Sequence, residues 1–122
     1  FLPGVGEIAR AHTALADLER SGQARVLELY GDLPAEAQDL VLERGPGRKV
    51  VLATNVAESS VTVPGVTAVV DTGLARILEH DAAVGLDRLR TKSISQAAAE
   101  QRGELLVHLL PDQRRVRALS RT

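Results

Sequence analysis

Thr54, Asn55, Glu58, Ser60 and Thr62 stand just beyond an apolar run, Val50-Val51-Leu52-Ala53. Hydroxyl, amide and carboxylate groups spaced this closely can donate to and accept from a polar ligand. An apolar run of this length, closed off by polar residues, has the pattern of a strand buried on both faces. In open α/β sheets, ligands collect at the carboxyl edge of such strands, and these polar residues would stand at that edge. The same residue types also build turns and helix caps, so a plain strand-and-turn reading stays open on composition alone. No other chemistry competes strongly. His12, His80 and His108 have no ligand spacing and there is no cysteine, so no metal site is expected. No nucleophile has a base beside it, which ranks a small-molecule enzyme on a flavodoxin-like sheet last.

The order of the residues says more than their types. Ala53-Thr54-Asn55-Val56-Ala57-Glu58-Ser59-Ser60-Val61-Thr62-Val63 resembles motif V of the DEAH/RHA group of superfamily 2 helicases, whose usual wording is ATNIAE(T/S)SLTI. The detail is closest to the bacterial HrpB-type branch. Other pieces resemble the same group. Phe1-Leu2-Pro3-Gly4 is similar to the end of motif IV, Leu29-Tyr30-Gly31-Asp32-Leu33-Pro34 to the LY(S/G)xLP element, and Val69-Val70-Asp71-Thr72-Gly73 to the VVD(S/T)G strand after motif V. Ser93-Ile94-Ser95-Gln96-Ala97-Ala98-Ala99-Glu100-Gln101-Arg102 resembles the approach to motif VI, but the AGRAGR that should follow is replaced by Gly103-Glu104-Leu105-Leu106. That departure removes the arginine finger, a group that stabilises phosphoryl-transfer charge.

The elements that must position these residues follow from periodicity. Ile8, Ala11, Leu15 and Leu18 recur at helical spacing and Gly22 supplies a stop, which predicts one helix over residues 5–21. Residues 26–30, 50–53 and 66–70 read as parallel strands, the second central between the other two. Residues 35–42 read as a helix with Pro34 near its first turn. Residues 74–79 and 86–91 flank a turn-rich middle and read as a β-hairpin. Ser95 is a candidate N-cap for a helix carrying Gln101 and Arg102. The expected fold is α/β. In the terms of the resemblance it is a RecA-like parallel sheet flanked by helices, with a projecting β-hairpin.

Composition sets outer limits. The chain has 122 residues, one domain's worth, with 44% hydrophobic and 25% charged residues and a net charge of −1. Its aromatics are Phe1 and Tyr30, so the core must be aliphatic and base stacking has little to work with. A near-neutral chain is a poor freestanding nucleic-acid module, although half of a cleft needs only local contacts. Arg44-Gly45-Pro46-Gly47-Arg48-Lys49 is a glycine-proline loop with cations, either an approach patch for phosphate or a solvated loop. No apolar stretch reaches spanning length, so a cytoplasmic protein without membrane contact is expected. A start at Phe1 and the lack of methionine read as a segment of something longer.

The resemblance then implies a function. The chain would be the second, C-terminal RecA-like domain of an ATP-dependent RNA or DNA helicase, residues 1–122, incomplete in its first strand and at motif VI. Thr54, Asn55, Glu58, Ser60 and Thr62, with Gly31, Arg76 and Arg88, would contact or couple to single-stranded RNA or DNA; Arg90 could assist on the hairpin. Gln101 and Arg102 would face ATP. ATP and Mg2+ would be used by the full-length parent, and the first RecA-like domain would be the partner. That domain carries the Walker A loop and the DEAH box, neither of which is in this sequence, so the catalytic set is incomplete and the isolated chain is expected to be inactive. The alternative is a degenerate helicase fragment serving only as an interaction module.

Overall fold

In the computed structural model, which describes residues 1–55 and 63–104, two short strands run parallel in register. These are β1 (Arg25–Leu29) and β2 (Lys49–Ala53), with Arg25 opposite Lys49 and Leu29 opposite Ala53. Because side chains alternate between faces, Val26, Glu28, Val50 and Leu52 share one face, and Leu27, Leu29, Val51 and Ala53 the other. Both faces are covered. Helix α1 (Val5–Ala14) brings Ile8 and Ala11 onto Val26 and Leu52. Between the strands, α3 (Ala35–Leu42) brings Val41 onto Leu29 and Ala53. Ile8, Leu29 and Val41 are at most 2% exposed. A helix on either side of a parallel pair is the layering of an α/β fold.

The single helix expected over residues 5–21 is two. After α1 the backbone turns at Leu15 and resumes as α2 (Ala16–Arg20). No glycine or proline marks the break. It lets Leu15 join the core beside Ile8 and lets Glu19 reach back, accepting from the Val26 amide at 3.3 Å and meeting the His12 ring at 3.1 Å. The stop at Gly22 is as expected: with φ 69° it closes α2 by donating to Glu19 O, while Gln23 donates to Leu18 O, the paired bonds of a Schellman ending. Lys49 closes α3 by donating from Nζ to the carbonyls of Val41 and Glu43.

Residues 66–70 do not form the expected strand beside β2. The chain's own first residues lie there instead. Leu2 N donates to Ala53 O at 2.8 Å, the Phe1 ammonium donates to Val70 O at 2.6 Å, and Thr72 N donates back to Phe1 O at 3.3 Å. Phe1 and Leu2 fill only one end of the space, and an apolar slot of about 450 Å3 remains between β2 and residues 63–70. β2 is therefore not the centre of a three-stranded ladder.

The hairpin is present and longer than expected: β3 (Leu74–Asp81) pairs antiparallel with β4 (Leu86–Ser93). Its turn is built by Asp81, whose carboxylate accepts from Ala83 N and whose carbonyl accepts from Gly85 N, with Gly85 at φ 64°. Helix α4 (Gln96–Glu104) follows, and Ser95 Oγ accepts from Ala98 N at 3.1 Å as its cap. The reading of the chain after Arg102, including the break in motif VI, falls largely outside the described residues.

Two outcomes test this packing. Leu29→Ala should cost about 2–5 kcal/mol in urea unfolding, and Val51→Ala, at a half-buried site, clearly less. The second outcome concerns His12, whose ring bonds Glu28 at 2.9 Å and also Glu19. The Glu28 bond outweighs partial desolvation and, with Glu19, holds its pKa above the usual 6.5. A raised folded pKa gives stability that is full below 6.5 and lost as pH rises through the folded value. The melting temperature of His12→Asn should therefore fall furthest below the parent's under pH 6.5 and approach it as pH rises through the folded value.

Candidate nucleic-acid interface

Parallel pairing puts the carboxyl ends of β1 and β2 side by side, so the residues that leave them must share one edge. Thr54 stays tied to the ladder, its amide donating to Leu29 O at 3.2 Å, and is only 7% exposed. Asn55 and Gly31 are exposed at the same edge. Glu58, Ser60 and Thr62, which the sequence places with them, lie outside the described residues.

Arg76 and Arg88 stand on the hairpin, one on each strand. Arg76 Nη2 donates to Glu7 Oε1 at 2.9 Å, tying β3 to α1. The guanidinium passes so near Gly4 that an added Cβ there would lie 2.7 Å from it and would push the flexible end of the arginine aside. Arg88 is exposed, its nearest carboxylate being Asp81 at 3.9 Å, and Arg90 lies 3.8 Å from both Glu79 and Asp81. The hairpin is thus a lattice of paired charges rather than a bare cationic surface.

On α4 the two candidates part. Gln101 is exposed and Arg102 is fully buried at 0%. Arg102 Nη1 donates to Asp71 Oδ1 at 2.7 Å, and its guanidinium lies 4.7 Å from the centre of the Phe1 ring. Asp71 Oδ1 also accepts from Gly73 N at 2.9 Å, and Gly73, at φ 72°, passes its carbonyl to Ile94 N. The sequence marks Asp71-Thr72-Gly73 as a motif, but nothing in it pairs Asp71 with Arg102. Its only available signal was a carboxylate ending an apolar run. Among the described residues no three His, Asp or Glu side chains converge as a metal site, and no helix is long and apolar enough to cross a membrane.

This arrangement has counterparts among known proteins. The profile of the helicase conserved C-terminal domain matches residues 4–102. The chain belongs to that helicase family, in its DEAH/RHA branch. The ATP-dependent RNA helicase HrpB of Escherichia coli is 46% identical over 105 residues, which cover 84% of this chain and 13% of HrpB. HrpA of the same bacterium is 42% identical over 102 residues, covering 84% of this chain and 8% of its own. A crystal structure of E. coli HrpB superposes with a TM-score of 0.78 at 42% identity, over 87% of this chain and 13% of that one. The helicase C-terminal domain described here therefore spans about an eighth or less of these relatives.

Within this helicase domain the buried ion pair is open to measurement. Asp71→Asn removes the carboxylate charge that faces the buried Arg102 guanidinium, and stability should drop by about 3–5 kcal/mol. Adding Arg102→Met should cost much less than the sum of the two single changes, the mark of a coupled pair in a double-mutant cycle.

Proposed function

We propose that this domain is the nucleic-acid-coupling half of an ATP-dependent RNA or DNA helicase. Single-stranded RNA or DNA lies along the carboxyl edge of β1 and β2. Asn55 and Gly31 meet its backbone there, Thr54 supports them from beneath, and Glu58, Ser60 and Thr62 contribute to the same contact or its coupling. Arg88 approaches from the hairpin, while Arg76 acts mainly by holding the hairpin to α1 through Glu7. The observation that carries this reading is the shared edge: two parallel strands deliver Gly31, Thr54 and Asn55 to one place, within a family whose named relatives are RNA helicases. Backbone contacts of this kind position a strand without reading its sequence.

ATP and Mg2+ belong to the whole parent protein in this proposal. ATP supplies a transferable phosphoryl group, held by the first RecA-like domain across the cleft. Gln101 faces it from the surface of α4. Arg102, as placed, fixes the end of that helix through Asp71 and so positions Gln101; direct contact with ATP would require the ion pair to open.

Thr54→Val tests the coupling role, because it keeps the β-branched shape and removes the hydroxyl. In a protein joined to a first RecA-like domain and a complete motif VI, nucleic-acid-stimulated ATPase should fall while basal ATPase changes less. The loss should be similar across sequences, and the salt slope should barely move, since no charge is removed. A variant that melts earlier yet keeps full stimulation would leave Thr54 a structural role alone.

A further inference from the structure

The described cations divide into two groups. Arg10 and Arg76 share Glu7, Arg20 meets Asp17, Arg88 and Arg90 meet Asp81, Lys92 meets Glu79, and Arg102 meets Asp71. The other four, Arg25, Arg44, Arg48 and Lys49, have no carboxylate partner among the described residues, and they lie together. Parallel pairing is the reason. Arg25 opens β1, Lys49 opens β2, and the two are register partners, with Arg25 N donating to Arg48 O at 2.9 Å. The patch therefore sits at the amino edge of the ladder. Five residues at about 3.3 Å each place it about 15 Å from the motif V edge.

A cleft of about 200 Å3 enters this patch, walled by Arg25, Arg48, Gly22 and Gly47. Arg25 Nε is buried and meets no hydrogen-bond acceptor among the described residues. Its guanidinium rests over Gly45, where any side chain would collide with it. Glu19 on the rim is already engaged by the Val26 amide and the His12 ring. Burial foremost, and then repulsion from Arg25 and Arg44, lower the Lys49 pKa. Like charges held this close cost stability until an anion meets them.

We propose that this amino-edge patch binds the phosphates of a nucleic-acid strand, as a second contact site separate from the motif V edge. Guanidinium forks suit phosphate oxygens. The cleft has no large apolar wall to anchor a peptide and no aromatic ring on which a base could stack, so the binding is to backbone alone. This site does not depend on the role proposed for Thr54.

The test is anisotropy of labelled oligo-U with the 122-residue chain across a salt series. Arg44→Gln/Arg48→Gln should weaken binding at low salt and reduce the slope of log K against log salt by about 1.4, two phosphate contacts at 0.7 each. Arg10→Gln and Thr54→Val should leave the slope alone. An unchanged slope in a variant that melts like the parent overturns the proposal. Amide shifts in the unaltered chain provide a readout that needs no variant. Oligo-U should move Gly22, Arg25, Gly47 and Arg48; shifts confined to other residues overturn the proposal. So does displacement of the strand by poly-glutamate as readily as by unlabelled oligo-U. Inorganic phosphate moving these amides while oligo-U does not would assign the site to a free anion and reject the strand.

Discussion

A charge with no access to water must find its opposite inside the protein, and Arg102 finds Asp71. The desolvation cost of a buried guanidinium is several kcal/mol, so this pair cannot be loosened piecemeal. Around it four separated stretches meet: the Phe1 ring lies against the guanidinium, Asp71 and Gly73 make the turn into β3, Ile94 takes the Gly73 carbonyl, and α4 is anchored near its last turn. The hairpin and α4 have little apolar core of their own, since β4 is exposed throughout, β3 buries chiefly Ala75, and α4, among its described side chains, buries chiefly Arg102. Their placement against the helicase domain depends on this interaction and on the Arg76–Glu7 bond.

The parallel pair contributes differently. Covering its faces leaves the two ends as the main places for polar groups, Glu28 being the mid-strand exception held by His12. The carboxyl end holds Gly31, Thr54 and Asn55, and the amino end holds Arg25 and Lys49. Functional polarity along the strands thus follows from burial across them. A near-neutral net charge hides this, because an average over the chain cannot report that one end is cationic while the hairpin's charges are balanced.

What could be read from the sequence was what local pattern determines. The β2 run, α3 behind Pro34, the Gly22 stop, the hairpin and the Ser95 cap are each specified by residues within one or two turns of the feature. What could not be read depends on distant partners. Leu15 breaks a helix because Glu19 has business with His12 and Val26, and nothing at Leu15 says so. Residues 66–70 have strand composition, yet Phe1 and Leu2 take the position beside β2. Arg102 carries a motif residue's name, while its partner lies 31 residues back. The loop cations look like an ordinary solvated turn until β1 is laid beside β2 and Arg25 joins them.

The bonds made by Phe1 carry a topological cost. Leu29 and Ala53 pair across 24 residues of chain, whereas Phe1 meets Val70 across 69. Closure entropy grows with the logarithm of loop length, so the longer loop costs about 1 kcal/mol more to close. The β1–α3–β2 unit repays its smaller debt with an aliphatic core sandwiched between helices. The opening residues have only a few backbone bonds and an arginine stacked on one ring with which to offset theirs.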